Sequence, residues 1–277
     1  LLIEELKKQE NIKVLKKRNL LSSLFSKKKY ADVYFHTGIL DEKSIENIKN
    51  ARITITNSFD LMNKIIEKTK ISQEKIKVIY PSINIEYKKT KEVKEKLCEE
   101  LHVDLDTKLI FFTAKNFKSS GVKEFLDICS SINYSNFKII IAGEKKQIIN
   151  LNFQISKYSN LQDRIILLEN YSNIDDLFLA SDIFLLPTYN KSFSTIIIKA
   201  IYCKCVVFVS SDNDAKEIVD VFASMDSPTD QSIAFKIDAI LLNENDLKMI
   251  QKENRKLALE FTLQSSLEKI NQLIKNI

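Results

Sequence analysis

RIILLENYSNIDDLFLASDIFLLPTYNKSFSTIIIKAIYCKCVVFVSS, residues 164–211, decides the architecture. Short β-branched and apolar runs at 164–168, 183–187 and 205–210 alternate with amphipathic stretches at 173–180 and 193–203, a β-α-β-α-β order. The run Ile183-Phe184-Leu185-Leu186 is apolar at every position, as a strand must be when both faces of its sheet are covered. Parallel strands joined by helices follow.

The same alternation extends outward. It predicts strands at 12–15, 31–36, 52–57, 75–80, 108–115 and 137–143, with helices at 40–49, 59–69, 90–101, 121–132, 144–158, 214–220, 229–242, 245–261 and 264–276. The fold class is α/β with doubly wound parallel sheets. EYKKTKEVKE, residues 86–95, lacks apolar periodicity and follows Pro81, so the chain is expected to divide into 1–88 and 89–277. The first piece is short for a complete α/β domain.

Composition removes several classes. With 44% hydrophobic and 29% charged residues the chain can build a core, yet no window approaches the ~18 uncharged apolar residues of a membrane span. Leu1-Leu2-Ile3 runs straight into Glu4 and Glu5, unlike a signal peptide. The four cysteines, Cys98, Cys129, Cys203 and Cys205, lack C-x-x-C spacing, and with His36 and His102 as the two histidines no zinc set emerges; reduced thiols in a cytosolic protein are expected. A net charge of +5 is diffuse and carries no aromatic-basic stacking motif, so nucleic acid is not an expected partner.

Only 3 glycines occur where average usage would give about 19, which excludes a Walker A loop and a G-x-G-x-x-G fingerprint. Gly38, Gly121 and Gly143 all stand at the carboxyl end of an expected strand or the start of the next helix. Ligands of open α/β sheets bind at that edge, where free amides meet anions. Either these glycines serve an anionic ligand or each relieves a tight turn.

RITITNSFD (52–60), KIKVIYPSINIEY (75–87), KLIFFTAKNFKSSGVKEFL (108–126), FKIIIAGE (137–144) and the 164–211 stretch together resemble glycosyltransferase family 4, which has the GT-B fold. The resemblance spans about residues 31–219. It implies two Rossmann-like domains, the N-terminal one incomplete here, with a C-terminal domain that binds a nucleotide-sugar donor and a last helix that crosses back. It further implies retaining transfer of a sugar to a cell-surface glycan or lipopolysaccharide-type acceptor, at the cytoplasmic side or peripheral on the inner membrane face. The nucleotide sugar enters as substrate, with no resident cofactor and no metal. The family's N-terminal strand and glycine-rich loop would precede residue 1, implying a piece of a longer product or a trimmed domain.

Carried over residue by residue, the match departs from the family at the donor site. PTYNKSFSTIIIKA (187–200) places Lys191 and Lys199 where the family has two acidic residues, the second a partner of the ribose hydroxyls. A carboxylate accepts from vicinal hydroxyls and an ammonium only donates, a loss on the order of 1.5–3 kcal/mol per bond. Two readings stand open: the lysines attract a more anionic donor or its diphosphate, or ordinary donor chemistry has lapsed and the chain is a non-catalytic GT-B partner subunit. The family's phosphate-binding Arg and Lys correspond to Lys115 and Ser120, beside Gly121; Lys115 holds charge without bidentate geometry, and Lys118 is a substitute cation or part of a solvated loop. Gly143 would leave room beside the donor. In VYFHTG (33–38), His36 matches a histidine that contacts the transferred sugar, the catalytic candidate here, although a lone histidine is also an ordinary structural residue. His102 reads as a surface or capping residue. KVLKKRNLLSSLFSKKKY (13–30) interleaves cations with Leu20, Leu21, Leu24 and Phe25, which suits either an anionic membrane surface near a lipid-linked acceptor or a buried helix with a solvated face.

Overall fold

A computed structural model describes residues 1–15 and 28–276. Two compact units emerge, Leu1–Asn84 with Glu260–Ile277, and Ile85–Leu259. The expected strand at 12–15 is absent: these residues are irregular and mostly exposed. Among the described residues these four pair with no strand, and Ile12 packs against an apolar cluster of Leu6, Ile55 and Ile270. Residues 16–27 of the cationic stretch, with the leucines that would meet a membrane, lie outside the described residues.

The first unit begins with α1 (Leu2–Leu6) and holds a parallel sheet of β1 (Val33–Phe35), β2 (Ile53–Thr56) and β3 (Ile76–Val78), in that order. Period-two alternation assigns the faces. Tyr34, Ile76 and Val78 pack with Ile48 of α2 (Glu42–Asn50) and with Leu61, Met62 and Ile65 of α3 (Phe59–Thr69). Val33, Phe35, Ile53 and Ile55 pack with Leu6 and with Leu267, Ile270 and Ile274 of the terminal helix Leu263–Lys275. Side chains cap the helix starts, Asp41 accepting from Ser44 N at 2.7 Å and Ser58 from Leu61 N at 3.0 Å, which satisfies amides that a first turn leaves free. The chain returns to this unit through a short parallel bridge, Ile83 N donating to Phe261 O at 3.0 Å and Leu263 N to Ile83 O at 2.9 Å.

The second unit is the doubly wound one. Its elements run α4 (Thr90–Leu101), β4 (Lys108–Thr113), α5 (Val122–Ser130), β5 (Phe137–Gly143), α6 (Lys145–Ile155), β6 (Ile165–Glu169), α7 (Ile174–Ala180), β7 (Ile183–Leu186), α8 (Thr195–Tyr202), β8 (Val206–Ser210), β9 (Ser224–Met225), α9 (Ser232–Leu242) and α10 (Glu244–Ala258). All pairings are parallel in the order β6-β5-β4-β7-β8-β9. The expected helix at 214–220 is a tight 3-10 turn, Asp214–Ile218, and β9 was not anticipated because two residues carry no periodicity. His102 is the left-handed C-cap of α4.

The strand order fixes the layers. From β4 the chain steps outward to β5 and β6, then crosses back to β7 and β8 on the other side. Right-handed crossovers therefore put α5 and α6 on one face and α7 and α8 on the other, where α4 packs on α7 and α10 on α8. Both faces are sealed. Phe111, Phe178 and Phe184 are buried and meet at centroid distances of 4.9, 5.8 and 5.2 Å, each such pair adding ~0.5–1.5 kcal/mol beyond area burial. Asp238 of α9 ties the α5–β5 connection, accepting from Asn133 N at 3.0 Å, Asn133 Nδ2 at 3.0 Å and Tyr134 N at 2.8 Å. All four cysteines are free and buried, and among the described residues no helix is long and apolar enough to cross a membrane.

Between α8 and β8 the chain reverses at Lys204, whose φ of 72° lies in the left-handed region that costs an L-residue roughly 1–2 kcal/mol. Lys204→Gly should raise stability by about 1 kcal/mol in a denaturant titration, after the extra backbone entropy of glycine is subtracted. Lys204→Ala, which keeps the strain, should not; equal midpoints for Gly and Ala would show that the turn is unstrained.

Candidate functional site

The point where the strand order reverses, between β4 and β7, is where two successive loops diverge and a ligand crevice is expected in such sheets. Here the two loops are joined. The loop after β4 coils on itself, Asn116 Oδ1 accepting from Ser119 N at 3.1 Å and Asn116 O from Ser120 N at 3.1 Å. The carbonyl of Ser119 then receives Tyr189 N at 3.1 Å, Thr188 Oγ1 at 3.3 Å and Asn190 Nδ2 at 3.3 Å from the loop after β7. Gly121 opens α5 with φ 77°, and a Cβ there would stand 1.8 Å from the carbonyl oxygen of Pro187. No other residue fits without moving one of the two loops.

Two more strand ends join this edge. A Cβ on Gly143, the last residue of β5, would stand 2.4 Å from the ring of Phe117. One turn on, Gln147 accepts from Phe117 N at 2.7 Å and donates to Lys115 O at 3.4 Å. After β8, the buried Asn213 uses both ends of its carboxamide: Nδ2 donates to Asn190 O (2.6 Å) and Ser192 O (2.8 Å), and Oδ1 accepts from Ser194 N (3.2 Å) and Ala215 N (3.0 Å). The loops after β4, β5, β7 and β8 thus form one hydrogen-bonded rim.

The sequence-derived residues distribute as follows. Lys115, Ser120, Gly121, Gly143 and Lys191 all lie on this rim; Lys115 and Lys191 are exposed and Ser120 is buried. Lys199 lies within α8 and forms a 2.7 Å ion pair with Asp175 in the first turn of α7, while the adjacent Asp176 pairs with Lys88 at 2.6 Å. The charge at Lys199 is therefore balanced from a neighbouring helix. His36 belongs to the first unit, just past β1, with its backbone N–H donating to Ile55 O at 2.9 Å and its ring stacked on Tyr34 at 6.1 Å. It is 5% exposed, and Nε2 is buried without a hydrogen-bonding partner among the described residues. Burial holds its pKa below the ordinary imidazole value, against a backbone hydrogen bond at Gly38 and the charge of Asp41. Among the described residues no cluster of His, Cys, Asp and Glu is arranged to hold a metal.

Sequence reasoning passed over Ser119, Gln147, Asp175 and Asn213. Ser119 acts through its carbonyl, which no side-chain identity reveals. Asn213, in SSDND between a buried strand and a turn, carried a usable signal, since such a residue at a strand end commonly ties a loop.

Residues 93–257, more than half of the 277-residue chain, match the family model described as Glycosyl transferases group 1. Among solved structures, HepE of Anabaena in complex with UDP and glucose is similar with a TM-score of 0.73 and 20% identity over 88% of this chain and 71% of that one. A glycosyltransferase from Rickettsia africae gives 0.73 and 20% over 88% and 70%, and WaaG, a glycosyltransferase of lipopolysaccharide biosynthesis, gives 0.67 and 13% over 88% and 74%. No curated protein matches the sequence. The fold is that of the GT-B glycosyltransferases. The chain belongs to the family Glycosyl transferases group 1.

The lowered pKa of His36 has a defined sign. Below the ordinary value of ~6.5 the unfolded chain takes up a proton that the folded site resists, so this stability is complete above that pH and lost as pH falls toward the folded pKa. Relative to His36→Gln, the wild type should lose stability in urea titrations as pH drops from about 6.5. A difference that stays constant with pH would contradict the buried, neutral imidazole.

Proposed function

We propose that this chain is a nucleotide-sugar-dependent glycosyltransferase whose larger unit holds the diphosphate of the donor at the rim between β4 and β7. The observation that carries the reading is the joining of the two switch-point loops through Ser119 and Gly121, a preorganised edge in a member of a transferase family. A fixed backbone needs no reorganisation as charge develops on the leaving group. Lys115 and Lys191 stand exposed on that rim and would neutralise the departing diphosphate as point charges; Lys118 adds a third cation on the same loop. In the transfer, the bond from the anomeric carbon to the diphosphate oxygen breaks, the acceptor oxygen takes that carbon with retention, and the acceptor's proton passes to the departing diphosphate. The binding of UDP and glucose by HepE favours a UDP-type donor, and the role of WaaG in lipopolysaccharide biosynthesis favours a lipopolysaccharide-type acceptor.

One observation supports the second reading, a non-catalytic partner subunit of the same fold. Lys199 is committed to Asp175, so neither charge is left fully available to a ribose.

Thermal unfolding with UDP, GDP and their sugars separates the two. A competent rim should be stabilised by ~2.7 kcal/mol at a hundred times the dissociation constant, and Lys115→Ala should weaken nucleotide binding about tenfold. Glutamate at positions 191 and 199 should weaken it further if the lysines are donor ligands. No response to any nucleotide would favour the non-catalytic reading.

A further inference from the structure

The larger unit carries a cavity of about 930 Å³ between α5, α6 and the outer side of the loop after β4. It lies on the α5–α6 face, whereas Lys199 belongs to the α7–α8 face, and none of Lys115, Ser120, Gly121, Gly143, Lys191 and Lys199 lines it. Its size is within the ~300–1,000 Å³ of small-molecule sites.

Four carboxamides, Asn116, Gln147, Asn150 and Gln154, stand in the polar lining beside Lys118, Ser119, Lys123 and Glu124. Asn150 and Gln154 stand at i and i+4 on α6, about 5–6 Å apart, exposed, and neither side chain is engaged by another described residue. Asn116 spends its oxygen on Ser119 N, and Gln147 is consumed by the loop after β4. Tyr189 also lines the cavity, 51% exposed, with its hydroxyl donating to Glu124 Oε1 at 3.0 Å, and brings an aromatic ring into the same concavity. Phe117 and Leu151 are buried beneath.

The charges argue against an anion as ligand. Lys123 is paired with Asp127 at 3.0 Å and Glu124 contributes a carboxylate, leaving Lys118 as the cation without a carboxylate partner among the described lining residues. Sugar hydroxyls need donors and acceptors side by side, which a carboxamide supplies from one group, and the C–H face of a pyranose needs an aromatic surface. Both are present in one concavity. We propose that this cavity binds a neutral saccharide of two or more residues, as a subsite that adjoins the nucleotide rim on its α5–α6 side. The inference is testable apart from sugar transfer, because Asn150 and Gln154 of α6 have no part in the rim.

Saturation-transfer NMR and calorimetry on the full chain without nucleotide, using maltotriose and N,N′-diacetylchitobiose as probes, test it. Saturation of the ring protons of at least one probe is expected, with a dissociation constant raised about tenfold in the double variant Asn150→Ala/Gln154→Ala and in Tyr189→Ala. The double variant, on an exposed helix surface, should keep the wild-type thermal response to UDP. Absence of saturation transfer with both probes would overturn the proposal, as would an unchanged constant in the double variant, whatever happens with UDP.

Discussion

The contact between Gly121 and the carbonyl of Pro187 is the constraint on which the rim depends. A helix must begin within contact distance of a neighbouring strand's end, in a left-handed conformation, so that its preceding loop can offer the Ser119 carbonyl to three donors from the next loop. Any side chain at 121 would collide with backbone rather than with a movable side chain, and the two loops would separate. Gly143 repeats the logic more softly, since its neighbour is the Phe117 ring.

Seen this way, the scarcity of glycine is informative. Lys70, His102, Asn170 and Lys204 all occupy positive φ without being glycine, so the chain tolerates left-handed strain of about 1–2 kcal/mol at ordinary turns. It keeps glycine at 121 and 143, where a Cβ has nowhere to go; only Gly38 faces open space. At Gly121 the steric cost of a side chain exceeds the conformational cost borne at those turns. Electrostatics at the rim is less fixed: Lys115 and Lys191 point to solvent, and Lys199 has found a partner in Asp175.

Much of this architecture was legible in the chain. The buried parallel strands announce themselves through apolar runs such as Ile139-Ile140-Ile141-Ala142 and Ile183-Phe184-Leu185-Leu186, because two covered faces leave little room for polar positions. The 12–15 run misled, since KVL flanked by lysines has strand propensity but no neighbour to pair with. Positions on the rim could be read from glycine and motif spacing, whereas the bonds that join it could not: the Ser119 carbonyl, the Asn213 clamp and the Lys199–Asp175 pair are long-range and depend on which loops the strand order brings side by side. The carboxamide cavity was likewise invisible, since only the fold brings Asn150 and Gln154 of α6 and Tyr189 of the loop after β7 into one concavity.

Hydrogen exchange with and without saturating UDP tests the central claim, that the joined loops after β4 and β7 form one nucleotide-binding rim. The account predicts slowed exchange together in segments 114–121 and 187–194. UDP binding that leaves both segments unchanged, or protects one alone, would contradict it.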